Sequence, residues 1–414
     1  MGLPPLVPPG PDLSAAERSR YARHLLLPEV GAVGQRRMRT VRVLVVGAGG
    51  LGSPALLYLA GAGVGAVGIV DDDVVDVTNL QRQVVHGVAD VGRPKTASAA
   101  RAVQALNPDV EVVRHDVRLT EGNALALLAD YDIVLDGSDN FPTRYLVGDA
   151  CARLGLPHVW GSVYRFDGQV SVWYAGYGPC YACVFPAMPP PDSVPSCSTG
   201  GVVGSVCAAV ASVMVTEVVK LVTGAGEPLV GRLLVHDALR QRWSTVAVRA
   251  DPACPVCGPD ADPARRLGEV PVRRTGPTGG PGDPRPGAPD APDAPNRTDG
   301  ADARDVADIT AVELAGRLAD REQGRDAFVL LDVREPGERE VVTIPGDVPI
   351  PLALVRTGIH EPLPDGIPVL VYCKTGVRST EAARILRGRG VAATNVAGGV
   401  LAWVSDVDPS LPGY

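Results

Sequence analysis

Residues 45–53 read VVGAGGLGS, a glycine-rich turn directly after the apolar run VRVLVV at 41–46. Gly47, Gly49 and Gly52 fall on the spacing G-x-G-x-x-G, and Asp71 ends the next apolar run, GAVGIVD at 65–71. Small residues at such positions, Gly50 among them, let backbone amides reach phosphate oxygens at a helix N-terminus, while the carboxylate meets a ribose hydroxyl. The turn therefore predicts a nucleotide cradle. Its default reading is a nicotinamide-dependent oxidoreductase.

Around the turn, strand-like and helix-like segments alternate. Strands are predicted over 41–46, 65–71 and 131–139, with helices over 54–61 and 95–106. Alternation of this kind predicts an α/β fold, Rossmann-like, with a parallel sheet covered on both faces. The 414 residues exceed one ordinary core, and the segment 258–303 holds 18 Pro or Gly among its 46 residues, with no aromatic. Such a stretch cannot bury a core and predicts a flexible linker. The expected domains are therefore 1–257, a linker over 258–303, and a small α/β domain over 304–414.

The formal net charge of −8 gives no cationic footprint for nucleic acid. The apolar stretch 202–222 is interrupted by Ser205, Ser212, Thr216, Glu217 and Lys220, so it suits a buried helix rather than a membrane span. The N-terminal MGLPPLVPPGPDLS shows no secretory pattern, which predicts a cytoplasmic protein whose eight cysteines serve metal or chemistry rather than disulfides.

The residues after Asp71 argue against a nicotinamide cofactor. DVTNLQRQ at 76–83 places Asn79, Arg82 and Gln83 in one loop, and RPKT brings Lys95. Fixed cations of this number suit a triphosphate, where charge grows between the α-phosphate and the departing pyrophosphate. Asp139 in LDGSDN, at a strand end, is then a candidate Mg²⁺ ligand.

GAGGLGS, IVDDD, TNLQRQ, GRPK and DGSDN, in this order, resemble the ubiquitin-activating-enzyme-like (ThiF-type) adenylyltransferases that activate sulfur-carrier proteins in molybdopterin and thiamine pathways. The resemblance covers about residues 13–257. It implies ATP as substrate, Asp71 on the ribose, Asn79, Arg82 and Lys95 on the phosphates, and Asp139 on Mg²⁺. RYARHLLLPEVG at 20–31 also matches, which implies a homodimer in which Arg23 reaches the neighbouring subunit's ATP site.

Cys180-x-x-Cys183 and Cys254-x-x-Cys257 are two knuckles of the kind that together hold one tetrahedral Zn²⁺; redox pairs are the alternative. Four thiolates leave no open position, so the expected zinc is structural. Cys151 and Cys207 lie in apolar helical surroundings and read as core thiols. Cys197 sits in the polar loop PSCSTGG. The resemblance implies a reactive cysteine there.

In the tail, YCKTGVRST at 372–380 puts Cys373 between an apolar strand and a helix, where backbone N–H groups stabilise a thiolate or an anion on sulfur. Cysteine phosphatases need C-x₅-R to wrap phosphate; the loop Cys373, Lys374, Thr375, Gly376, Val377, Arg378 is one residue shorter. A loop of this size suits a persulfide. Together with LDVREPGERE at 331–340 and IPGDVPIPL at 344–352, it resembles a rhodanese, departing at Asp347, where a small residue is usual. The two resemblances imply adenylation of a small ubiquitin-like sulfur carrier, sulfur supplied by a cysteine desulfurase or thiosulfate, and a thiocarboxylate product. Molybdopterin, thiamine, cysteine, tRNA-thiolation and secondary-metabolite pathways all use such carriers, and the fused rhodanese is most similar to the molybdopterin-type and tRNA-thiolation enzymes. A docking module without catalysis is the remaining alternative.

Overall fold

The structure, a computed structural model, describes residues 3–189, 201–270, 306–358, 363–364 and 366–411. Cys197 and most of the Pro/Gly-rich segment lie outside them. Two compact units divide at Gly276 and Pro277.

In the first unit, β1 (Arg42–Val46), β2 (Ala66–Val70), β3 (Glu111–His115), β4 (Ile133–Asp136) and β5 (His158–Tyr164) form the parallel part of an eight-stranded sheet, in the order β3-β2-β1-β4-β5. Side chains of β1 alternate between two cores. Val43 and Val45 join the helices Gly52–Ala62 and Gly204–Thr223 on one face; Leu44 and Val46 join Ala124–Leu128 and Phe141–Leu154 on the other. A central parallel strand buried on both faces must be apolar throughout, which explains VRVLVV.

The sheet is not parallel to its end, as the βαβ reading alone would have it. β6 (Asp167–Trp173), β7 (Arg232–Asp237) and β8 (Arg242–Ala247) extend it antiparallel. The reason is local: only two residues separate β5 from β6, and Arg165 takes φ of 53° there, so the chain turns back as a hairpin rather than crossing over. The helix Gly204–Thr223 is long and apolar enough to cross a membrane, yet it packs on β5, β6 and the helix Gly52–Ala62.

The boundary expected at residue 258 falls later. Arg265 Nη1 lies 2.7 Å from the buried Asp149, the Gly268 N–H donates to the same carboxylate at 2.8 Å, and Leu267 joins the second core cluster. Composition marks 258–270 as coil, but these contacts fasten it to the helix Phe141–Leu154.

The second unit is a five-stranded parallel sheet in the order β11-β10-β12-β13-β9, made of β9 (Asp308–Ile309), β10 (Val329–Asp332), β11 (Asp347–Pro349), β12 (Val369–Tyr372) and β13 (Ala393–Val396). Leu331, Val369 and Val371 meet the helix Val377–Gly388 on one face, and Leu330 and Leu370 meet Ala311–Glu322 and Gly399–Asp406 on the other.

A first unit ending at Cys257 should be less stable than one ending at Val270 by about 3 kcal/mol, because the core loses the buried Leu267 side chain and Asp149 loses its Arg265 partner. Denaturant midpoints of the two proteins measure this; equal midpoints contradict it.

Candidate functional site

The glycine turn is shaped by close backbone contacts. Gly47 has φ of +85°, and a Cβ on Gly52 would lie 1.8 Å from the Gly47 carbonyl oxygen. Neither position tolerates a side chain. The helix Gly52–Ala62 starts with no side-chain cap; its Ser53 and Ala55 N–H groups donate to the Gly49 and Leu51 carbonyls, so an anion here is met by the amides of the glycine turn that leads into the helix.

A cavity of about 440 Å³ opens at this turn, bounded by Gly47, Gly49, Gly50, Asp71, Arg82, Gln83, Lys95 and Asp139. Residues far apart in sequence thus meet at one place. Asp71 directly follows β2, accepts the Ala48 N–H at 2.7 Å, and accepts the Asp73 N–H at 2.9 Å. Burial pushes its carboxyl above the usual range, against the pull of Lys95. Lys95 opens the helix Lys95–Leu106, is buried, and sits 2.9 Å from Asp73. The Arg82 guanidinium donates to the Thr78 carbonyl at 3.0 Å. Asp139 is exposed beyond the C-terminal end of β4.

Two expected residues stand elsewhere. Asn79 does not line the cavity; its Oδ1 accepts the Asp76 N–H at 3.2 Å, and its carbonyl accepts the Arg82 and Gln83 N–H groups. In this structure it shapes the loop that presents Arg82. Arg23 is exposed on the short helix Ala22–Leu25 and does not line the cavity of its own chain.

Sequence reasoning missed Arg144, Arg118, Asp73 and Ser138, which also border the cavity. Arg144 is buried, donates twice to the Ser138 carbonyl, and stacks over Phe141 and Trp160. Beneath it, Asp136 accepts from His158 Nε2 at 3.1 Å and from the Ser138 N–H at 2.9 Å. Burial opposes ionisation of Asp136, but these donors outweigh it and hold the carboxyl below its usual range. The cysteine expected to be inert at 207 is buried, yet its Sγ borders the cavity 3.1 Å from where a Gly50 Cβ would be.

The sulfurs of Cys180, Cys183, Cys254 and Cys257 all lie within 4.8 Å of one another, with contacts of 3.7, 3.6 and 3.4 Å. Tetrahedral Zn–S bonds of about 2.3 Å separate sulfurs by about 3.8 Å, so the cluster fits one Zn²⁺. Crowding by Cys183 and Cys257 pushes the Cys180 thiol up.

In the second unit, Cys373 follows β12, and its Sγ accepts from the Gly376 N–H at 3.2 Å and the Ser379 hydroxyl at 3.4 Å. Gly376 takes φ of +97°, directly before the uncapped helix Val377–Gly388. One backbone N–H and one hydroxyl thus face the sulfur. Arg378 is engaged bidentately by Glu338 at 2.7 and 2.6 Å. The unusual Asp347 is paired, accepting from Arg339 Nη2 at 3.1 Å and from the Tyr372 hydroxyl, so a carboxylate stands there at the cost of two dedicated donors.

Residues 21–256 match the ThiF family, and residues 310–406 match the rhodanese-like domain. The chain is 46% identical, over 100% of its length and 99% of the relative's, to the probable adenylyltransferase/sulfurtransferase MoeZ of Mycobacterium tuberculosis. It is 38% identical to the adenylyltransferase and sulfurtransferase MOCS3 of Bos taurus, covering 99% of this chain and 90% of that one. Among solved structures, E. coli MccB bound to MccA-N7isoASN shares the fold, with a TM-score of 0.53 and 21% identity, over 59% of this chain and 75% of that chain.

Chelating the metal, or Cys254→Ser, should lower the thermal midpoint of the first unit by about 10 °C, equivalent to a loss of roughly 3–5 kcal/mol. Calorimetry with metal analysis tests this; a zinc-free protein of unchanged midpoint contradicts a structural site.

Proposed function

The chain belongs to the ThiF family and carries a rhodanese-like domain, and we propose from that premise which of its residues do the chemistry. It is an adenylyltransferase and sulfurtransferase that activates the C-terminal glycine of a ubiquitin-like sulfur-carrier protein with ATP and supplies sulfur through the rhodanese domain. Nothing favours a nicotinamide cofactor. The observation that carries the assignment is the convergence of Asp71, Arg82, Gln83, Lys95 and Asp139 on one cavity at the glycine turn.

In the first step, a carboxylate oxygen of the carrier's terminal glycine attacks the α-phosphorus of ATP. The bond to the bridging oxygen breaks, and pyrophosphate leaves. Asp71 holds the ribose, the amides of the glycine turn and the Arg82 guanidinium meet the phosphates, and Lys95 leaves Asp73 to do the same. Asp139 would hold Mg²⁺, which when bound neutralises charge on the phosphate oxygens.

In the second step, the terminal sulfur of a Cys373 persulfide attacks the acyl-adenylate carbonyl, and AMP leaves. Donors from Gly376 and Ser379 stabilise charge on the Cys373 sulfur. The acyl disulfide so formed is cleaved by a thiol, for which Cys197 is the candidate, giving the carrier thiocarboxylate and an enzyme disulfide. A cellular thiol reduces that disulfide, and a cysteine desulfurase or thiosulfate recharges Cys373. The four-cysteine zinc is structural. A cytoplasmic setting keeps these thiols reduced. A homodimer would give the exposed Arg23 a neighbouring ATP site to enter.

Lys95→Ala and Asp139→Ala should each lower carrier-dependent ATP–pyrophosphate exchange by about a hundredfold or more, as loss of a fixed transition-state charge does, while sparing sulfur transfer from thiosulfate to cyanide. Exchange within tenfold of the unmodified enzyme would remove these residues from the mechanism.

Cys373→Ala should keep the exchange yet give no thiocarboxylate from thiosulfate or a charged desulfurase, and high free sulfide should restore product. Mass analysis of the carrier reads both outcomes. Normal product from thiosulfate would move the persulfide to another cysteine.

A further inference from the structure

His86 has no role in the reaction as described, yet its ring joins both walls of the cavity. It lies at the end of the loop that presents Arg82 and Gln83, and it is 7% exposed. Its Nε2 stands 3.1 Å from the Ala48 carbonyl oxygen and its Nδ1 stands 2.9 Å from the Ser98 hydroxyl. A carbonyl only accepts, so Nε2 carries the proton and the tautomer is fixed. The Ser98 hydroxyl donates its one proton to the Asp90 carboxylate at 2.8 Å and turns its oxygen toward Nδ1, and burial pushes the imidazole below its usual range.

The peptide units around Ala48 are therefore held from both sides. The Ala48 N–H donates to Asp71 at 2.7 Å, and the Ala48 carbonyl accepts from His86. Ala48 lies between Gly47 and Gly49, where backbone freedom is greatest and where the amides must converge on phosphate. Two fixed hydrogen bonds remove that freedom before the nucleotide arrives. The same loop is tied to the glycine helix a second time, through the Val85 N–H and the buried Ser53 hydroxyl at 2.7 Å. Loop and turn are thus fastened at two points, which sets Arg82 and Gln83 on one side against the glycine amides on the other.

We infer that His86 is a positioning residue for nucleotide binding: its Nε2 proton holds the glycine turn in register with the Arg82 loop. This rests on the reading of the cavity as an ATP site. The effect falls on nucleotide affinity rather than on the chemical step, because His86 faces the back of the turn and touches no reacting group.

Two amides separate this role from simple packing. The amide nitrogen of glutamine can replace Nε2, whereas that of asparagine can replace only Nδ1 and leaves the Ala48 carbonyl without a donor. In the full-length protein, His86→Asn should raise the KM for ATP in carrier-dependent pyrophosphate exchange by about tenfold, the effect of one lost buried hydrogen bond. Its kcat should stay within about threefold, and His86→Gln should return KM to within about threefold of the unmodified enzyme. Calorimetric titration with ATP alone should show the same ordering, and thermal midpoints should be alike for the two variants. Equal KM values for the two amides, or a loss confined to kcat, would overturn the inference. An unmodified enzyme that binds ATP with no carrier-dependent exchange would instead overturn the functional reading beneath it.

Discussion

Where β1 and β4 end side by side, Gly47, Gly52 and Gly137 pack backbone against backbone. A Cβ on Gly137 would lie 2.9 Å from the Gly52 nitrogen, and one on Gly52 would strike the Gly47 carbonyl. No side chain fits in this contact, and the whole first unit is arranged around it. It brings a helix N-terminus down onto the sheet, brings the β4 exit carrying Asp139 beside it, and leaves a cavity between. A ligand at the switch between the two halves of a doubly wound sheet needs this approach.

Much of that was legible from local pattern. The glycine spacing, the apolar run of β1, the helix Lys95–Leu106 and the two cysteine pairs are each readable within a dozen residues. Arg144 was not. Its partners are a carbonyl in the preceding turn and an indole on β5, and nothing in FPTRYLV distinguishes it from a surface arginine on an amphipathic helix. His86 was hidden for the same reason: its meaning lies in Ala48, 38 residues away. Asn79 adds a role that motif order does not reveal: its Oδ1 accepts the Asp76 N–H and shapes the turn that presents Arg82. Composition misplaced the linker because Arg265 and Leu267 act through distant partners that no count of proline and glycine reveals.

The second unit applies the same logic with different atoms. A strand ends, a short loop turns its amides inward, and a helix begins without a side-chain cap, so that sulfur rather than phosphate is met by N–H groups. Its support is ionic. Asp332, buried, accepts from Arg334 at 2.7 Å and from Arg339 at 2.7 Å, and Arg339 continues to Asp347. Buried charges of this number specify geometry more than they add stability. Asp347 is intelligible only inside that set, which is why the sequence flagged it as a departure without explaining it.

The chain leaves the first unit past two fasteners in series. After β8 come Cys254 and Cys257, joined to Cys180 and Cys183 some 74 residues earlier, and then Arg265 and Leu267 on the helix Phe141–Leu154. A pull on the chain at residue 270 would therefore be taken first by an ion pair and a leucine, next by the cysteine cluster, and only last by β8. That strand is an exposed sheet edge of six residues, the part of the fold least able to bear a pull. The anchoring order makes the exit a strain relief, insulating the sheet, and the cavity between β1 and β4, from a pull on the chain beyond residue 270.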